Sequence, residues 1–365
     1  MAEDQKLFTS VSPHIRSKVT VPSIMASVLL ALAPAALYAL YLFGLTGALV
    51  MGVCIFGAMF TENIWRVGKA GQLKSMYRQI ALLFAVIALM LALPAQYAVL
   101  QWVFVALLAF SVIHDISVRS KVNSRRATDW SAAVTGLLLA MTLPPRTPWW
   151  VCMIGAVVAI SLGKQIFGGL GYNVFNPALV GRAFLVMSWP VFVTTTWFAN
   201  LGIDAGTSAT PLMLAKQGTI QSTASYYGAL LWNNFGGCIG EVSAALLVIG
   251  GAFLIWKQVI DWRIPVSYLG TMLVMSVLLG VDPVFHLIAG GAMLGAFFMA
   301  TDYVTTCSSA VGKIIFGVGC GFLTMVLRMY SGMPEGVTFA ILFMNMASPM
   351  IDRLVRPKVF GVVKA

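Results

Sequence analysis

Long apolar runs separated by short polar loops fill most of the chain. A run of about 20 apolar residues can cross the hydrocarbon core of a bilayer as a helix. The pattern therefore predicts an all-α polytopic membrane protein with about 10–12 transmembrane helices, and the shorter runs are candidates for half-helices. The runs lie near 23–43, 45–61, 80–94, 97–113, 131–143, 149–163, 179–199, 238–256, 265–280, 284–300, 314–328 and 336–350.

Composition agrees with this interpretation. Hydrophobic residues make up 59% of the 365 residues and charged residues only 10%, against roughly 25% charged in soluble globular proteins. Mean hydropathy is +0.90. This excludes a soluble globule and a disordered chain, and the alternation of a β-barrel is absent. The net charge of +11 comes from basic residues in short loops, where they indicate membrane topology and not nucleic-acid binding.

The basic loops also predict orientation. If each run crosses once, the loops 62–79, 115–130 and 257–263 fall on the same side as both termini. Lysine and arginine resist translocation, so this side is cytoplasmic. We therefore expect a cytoplasmic segment at 1–22, a single transmembrane domain at 23–352 and a cytoplasmic tail at 353–365. The longest outside loop then covers about 200–224.

Two polar stretches interrupt the apolar pattern in similar surroundings. Pro148 opens a run that ends in the glycine-rich stretch 168–177, and Pro283 opens another that ends in the hydroxyl-rich stretch 301–309. Paired interruptions of this kind indicate broken helices around a central site. The sequence thus predicts an inverted repeat.

The stretch from Lys164 to Phe184 is the first candidate for chemistry. Its glycines and Pro177 oppose a regular helix, so its backbone must be buried in protein or line a polar cavity. Asn173, Asn176 and Arg182 suit a planar, anionic, hydrogen-bonding ligand. The alternative is a tight turn between helices, with Arg182 at the level of the lipid headgroups.

Two acidic residues are candidates for an ion path. Glu241 opens an apolar helix, either as a first-turn carboxylate favoured by the helix dipole or as a buried acid that binds a cation or proton. Asp302 opens the stretch that runs to Lys313, which is either an ion or cofactor path or a capped loop between helices. Glu335 is a further acid near a membrane segment.

Other polar features carry less information. The outside loop holds a cluster of small and hydroxyl residues, Asp204 to Leu212, which on physical grounds alone is a solvated turn. No cysteine or histidine spacing indicates a metal site. We interpret the five scattered cysteines as buried thiols that fill small gaps.

Several motifs together resemble one family. They are Ser12-Pro13-His14, 168–177, Gly240-Glu241-Val242-Ser243, 294–302, 334–342 and 356–361. In combination they resemble the D subunit of the Rnf complex, a membrane-bound ferredoxin:NAD⁺ oxidoreductase, and its relative, the B subunit of the Na⁺-translocating NADH:quinone oxidoreductase. The segments near 80–113 look like a hairpin beyond the family pattern, so they are either not crossings or an insertion.

The resemblance implies a covalent flavin. Family members carry FMN on a threonine through a phosphoester bond, and the matching residues here are Thr207-Ser208-Ala209-Thr210. Thr210 is then the acceptor, and Ser208 stands where the family motif has glycine. The loop lies on the side where the family's flavin transferase acts. A noncovalent riboflavin is also implied, and Asn173, Asn176 and Arg182 are suitable types for contact with a flavin ring.

The resemblance also implies function and partners. The chain would be an electron-transfer subunit of a redox-driven Na⁺ or H⁺ pump in a bacterial or archaeal cytoplasmic membrane. Its partners would be Rnf subunits of the A, B, C, E and G types, which would hold the nucleotide and iron–sulfur sites. Two alternatives stay open: the B subunit of the quinone reductase, and a flavin-free channel or secondary transporter on the same scaffold.

Overall fold

The computed structural model describes residues 19–69, 129–194, 212, 224–232, 237–331 and 336–355, and within these ranges the regular structure is helical. The helices are α1 Val21–Lys69, α2 Ser131–Met141, α3 Trp149–Ile160, α4 Pro177–Ser188, α5 Pro190–Thr194, α6 Ala224–Trp232, α7 Ala244–Trp256, α8 Arg263–Leu278, α9 Pro283–Ile288, α10 Ala292–Leu294, α11 Ala310–Tyr330 and α12 Val337–Leu354. Two π-helical turns, Ser161–Gln165 and Gly295–Met299, continue α3 and α10.

Helix α1 is a hairpin of two membrane-length helices. Gly44 has φ 57° and ψ −134°, which interrupts the helix between 21–43 and 45–69. Met25, near the start of α1, lines the same cavity as Lys164, and Lys164 binds Glu62, near the end of α1. A straight helix would place these ends more than about 50 Å apart, at about 1.5 Å per residue. The two predicted runs and their boundary are therefore confirmed.

Helix α2 confirms the prediction that some runs are half-helices. Its 11 residues reach only about 16 Å, against a hydrocarbon core of about 30 Å. Carbonyls at its carboxyl end find partners in a distant segment. The Cys238 thiol donates to the Thr142 carbonyl at 2.9 Å, and the Ile239 N–H donates to the Leu143 carbonyl at 3.0 Å.

The predicted run at 284–300 is not one helix. Gly290 and Gly291 have φ of 70° and 66°, a left-handed conformation that breaks the helix between α9 and α10. Arg328 of α11, which is 3% exposed, closes the break. It donates to the carbonyls of His286 at 2.6 Å, Ala289 at 2.9 Å and Gly290 at 3.0 Å. A fixed cation thus takes the place of the missing helical N–H groups.

The described residues also correct some boundaries. Helix α7 begins at Ala244, capped by the Ser243 hydroxyl, and not at 238. Helix α6 lies where no apolar run was predicted, and the Tyr227 hydroxyl donates to the Asp282 carboxylate at the start of α9. The segments at 80–94 and 97–113 lie outside the described residues, so the number of crossings stays a prediction.

The two predicted interruptions meet at one end of the bundle. Each follows a π-helical turn, at Gln165 and at Met299. The Asn176 amide, at the end of the first interruption, donates to the Met299 carbonyl, at the start of the second, at 3.1 Å. The two interruptions therefore come together in the fold, while a central site and the inverted relation between the two halves stay predictions. We call this the cavity end.

Replacing Arg328 tests the broken helix. The Arg328→Met variant leaves three carbonyls in an apolar environment without their donor, so we expect it to lower the free energy of unfolding by about 3 kcal/mol or more. Thermal unfolding of the purified complex in detergent measures this loss. Lys313→Met, at the other end of the same helix, is the matched control because Lys313 is a quarter exposed. Equal unfolding temperatures for the two variants would contradict the assignment.

Candidate functional site

Residues of both polar interruptions line one cavity, which lies at the cavity end of the helix bundle. The empty space of this cavity, counted together with the open solvent at its mouth, is about 700 Å³. Apolar side chains make most of the wall, including Met25, Leu138, Leu254, Phe297 and Phe298. The polar lining consists of Ser131, Thr135, Lys164, Asn173, Asn176, Thr301, Asp302 and Tyr303.

The two asparagines have different roles in this wall. Asn176 is the N-cap of α4, where its Oδ1 accepts from the Ala178 N–H at 3.0 Å and its amide donates to Met299. Asn173 donates to the Phe175 carbonyl at 3.2 Å, and its Oδ1 is buried without a hydrogen-bond partner. A buried acceptor without a partner is costly. Asn176 therefore joins the two interruptions, and Asn173 offers a free acceptor to the cavity.

A buried ion-pair network adjoins the same cavity. Lys164, 1% exposed, donates to Glu62 Oε1 at 2.8 Å and to the Ser131 hydroxyl at 2.5 Å. Arg66 donates to Glu62 Oε1 at 3.0 Å and to Asp129 Oδ1 at 3.1 Å. Two carboxylates and two cations are thereby paired, as buried charges require.

The two carboxyl groups of Asp129 and Asp302 have pKa values shifted in opposite directions. Burial raises the pKa of Asp129, but the nearby Lys164 charge, the Ser131 hydrogen bonds and Arg66 outweigh it and hold that pKa below its usual range. Burial raises the pKa of Asp302, and the hydrogen bonds from Val304 and Thr305 together with the Lys164 charge offset only part of that increase. Asp302 thus caps its loop and also lines the cavity, and its place in an ion or cofactor path stays a prediction.

Arg182 does not join the asparagines. It is 5% exposed, which rules out a place among the lipid headgroups, and it does not line the cavity. Its Nη1 donates to Cys238 Sγ at 3.4 Å. The reason is helical geometry: Arg182 is six residues beyond the Asn176 cap, so the two side chains point in directions about 120° apart around α4.

Glu241 lies at a second place, beside the break between α9 and α10. It ends a 3₁₀ turn, Ile239–Glu241, ahead of α7, so the interpretation as a first-turn residue of that helix is wrong. The carboxylate is buried. A Cβ on Gly291 would lie only 3.0 Å from its Oε1, so the glycine allows this approach. Glu241 and Asp302 therefore belong to different sites.

The remaining predicted residues divide into two groups. Thr207, Ser208, Thr210 and Glu335 lie outside the described residues. The five cysteines are buried thiols that are not joined in disulfides, as interpreted from the sequence.

Sequence reasoning missed Glu62, Arg328 and the part played by Lys164. Each is a charged residue in or beside an apolar run, which marks an intramembrane residue with a partner. That signal was present for Glu62 and Arg328, but it does not identify the partner. Glu62 and Lys164 are 102 positions apart.

The family model described as NQR2, RnfD, RnfE matches residues 8–116 and 74–361. The chain belongs to the NQR2, RnfD, RnfE family. This agrees with the resemblance drawn from the motifs, and it accounts for the polytopic helical fold.

Three relatives extend this result over nearly the whole chain. The D subunit of the Na(+)-translocating ferredoxin:NAD(+) oxidoreductase complex of Acetobacterium woodii is 42% identical over 98% of this chain and 96% of the relative. The D subunit of the proton-translocating complex of Clostridium ljungdahlii is 39% identical, over 99% of each chain. The D subunit of the ion-translocating oxidoreductase complex of Halorhodospira halophila is 34% identical, over 96% of this chain and 94% of the relative.

Variants of Lys164 and Glu62 test the buried pair. Lys164→Met removes one of two cations from Glu62 and leaves Arg66 in place, so we expect a loss in the free energy of unfolding smaller than the about 3–5 kcal/mol of a buried charge left without a partner. The double variant Lys164→Met/Glu62→Gln removes both charges, and we expect it to lose much less. Thermal unfolding of the four proteins in a double-mutant cycle gives the coupling. Additive losses would show that the two side chains do not interact.

Proposed function

We propose that this chain is the electron-transfer D subunit of an ion-translocating ferredoxin:NAD⁺ oxidoreductase complex in a bacterial or archaeal cytoplasmic membrane. The near full-length similarity to relatives of that name supports the proposal. The observation that carries it is a cavity with mostly apolar walls, lined by Lys164 and by Asn173, whose buried Oδ1 has no hydrogen-bond partner. The names of two relatives differ in the ion, so the coupled ion is Na⁺ or H⁺.

The family model covers the B subunit of the quinone reductase as well as this one. The three relatives named above are all D subunits, which favours the ferredoxin-linked complex. Partners of the A, B, C, E and G types would complete the electron path, with the lipid bilayer around the helices. Both termini would be cytoplasmic and the loop at 200–224 outside.

The first cofactor in this proposal is FMN joined to Thr210 by a phosphoester bond. Thr207, Ser208 and Ala209 precede the acceptor, and their small side chains leave room for a flavin transferase and for the phosphate. Ser208 replaces the glycine of the family motif and stays small. A covalent bond keeps a small redox group from leaving to bulk water, so the outer loop would hold one fixed electron carrier.

Intact-protein mass spectrometry with peptide mapping tests this cofactor. In the complex purified from its native host, we expect a peptide containing Thr210 to carry the mass of one FMN less water. Thr210→Val would lose this mass, and Thr219→Val, in the same loop but outside the motif, would keep it. An unmodified Thr210 in cells with an active flavin transferase would reject the covalent site.

The second cofactor is a noncovalent riboflavin in the cavity, whose residues fit its ring. The Asn173 acceptor suits an imide N–H, the Lys164 ammonium suits ring carbonyls, and Phe297 and Phe298 supply apolar wall. Such a ring, when bound, takes up and gives back electrons. The protein's contribution is to orient the polar edge, exclude water and place a positive charge beside it. Arg182 has no part in this site.

Asn173→Leu tests this assignment. It removes the free acceptor while keeping the volume, so we expect at least about tenfold less noncovalent flavin in the purified complex, with the covalent FMN unchanged. The noncovalent flavin is released by denaturation and measured by chromatography. Thr301→Val is the matched control, because the Thr301 hydroxyl already donates to the Phe297 carbonyl. Equal riboflavin content in Asn173→Leu and Thr301→Val would remove Asn173 from the site.

A further inference from the structure

Lys164 belongs to two environments at once. Its side chain lines the cavity, and its ammonium is held at 2.8 Å by Glu62 and at 2.5 Å by the Ser131 hydroxyl. An ammonium has three donors on a flexible stem, so it can exchange one acceptor for another without moving the backbone. Lys164 is thus a buried cation whose ammonium can form hydrogen bonds with more than one set of acceptors.

Glu62 does not depend on Lys164 alone. Arg66 donates to the same Oε1 atom at 3.0 Å, and the Gln165 amide approaches it at 3.5 Å. Asp129 shares Arg66 at 3.1 Å. If Lys164 turned away, Glu62 would therefore keep a cationic partner and a hydrogen-bond donor.

The ion-pair network beside the cavity has no net charge. Glu62, Asp129, Arg66 and Lys164 sum to zero, and the Asp302 carboxyl also lines the cavity. One electron added to a neutral ligand in the cavity brings one negative charge into this buried region. Lys164 is the cation of the network that lines the cavity, so it is the group placed to respond.

We propose that Lys164 exchanges its main partner, from the Glu62 carboxylate to the ligand, when the ligand is reduced. The electron comes from a one-electron donor of the complex, and no covalent bond forms or breaks. Lys164 then favours the reduced ligand, and Glu62 opposes it by competing for the ammonium. This inference rests on the proposed noncovalent flavin, and it assigns Lys164 and Glu62 opposite effects on the reduction potential of that flavin.

Anaerobic redox titration of the purified complex with dithionite, followed by flavin absorbance, tests the exchange. In Lys164→Met we expect the ratio of reduced to oxidised noncovalent flavin at a fixed potential to fall about tenfold or more. In Glu62→Gln the ammonium loses its competitor, so the ratio rises. Lys164→Arg keeps the charge and stays near the parent ratio.

Further variants separate this role from a structural one. The double variant Lys164→Met/Glu62→Gln lacks an isolated charge, and its ratio is expected between those of the single variants. Lys313→Gln removes a cation that is a quarter exposed and does not line the cavity, so its ratio should stay at the parent value.

Two results would overturn the proposal, and they differ. A parent complex that holds covalent FMN but no noncovalent flavin would reject the ligand itself. A parent complex with noncovalent flavin, whose ratio is unmoved in both single variants or moves in the same direction in both, would keep the ligand and reject the exchange.

Discussion

Backbone polar groups inside a membrane need partners within the protein, and the rest of this fold depends on how they find them. Helices in the described part of the chain are interrupted at several places. At three of these interruptions, a group from another segment makes hydrogen bonds to the backbone carbonyls that are left without a helical partner. Arg328 closes the break after α9, the segment at 237–243 closes the end of α2, and Asn176 ties the two interruptions together. Because each closure joins residues far apart in the chain, the breaks fix the relative positions of the helices that carry the site.

Charged side chains inside the protein also need partners, whereas charged side chains at the surface can be solvated by water. Lys313 pairs with Asp261 where water also solvates both side chains, so that pair contributes little. Lys164 and Glu62 are almost wholly enclosed, and their pairing is a condition for their being there at all. The buried network lies beside the cavity because the helix interruptions open polar space at this end of the bundle.

Much of the helical framework could be predicted from the sequence. The hairpin at Gly44, the half-helix α2 and the convergence of the two interruptions followed from apolar run lengths and glycine positions. The break at 289–291 could not, because Pro283 to Met299 has the pattern of one apolar run. The pairing of Arg328 with carbonyls about 40 positions away, and of Lys164 with Glu62, depends on tertiary packing that no local pattern contains. Glu241 was misplaced because Ser243, two residues later, is the cap.

The pair Asn173 and Asn176 shows why a motif alone does not assign a role. The two residues are of the same type and three positions apart, yet one uses its amide to join the interruptions and the other keeps a buried acceptor open. A ligand that formed hydrogen bonds with Asn176 would compete with the Met299 carbonyl for its amide, and so weaken the contact between α4 and the turn at Met299. A ligand that bonded to Asn173 would satisfy a group that the fold leaves without a partner. A ligand can therefore bind to the Asn173 acceptor while the Asn176 hydrogen bond to Met299 stays intact. This difference between the two asparagines favours a binding site that is already formed before the ligand binds.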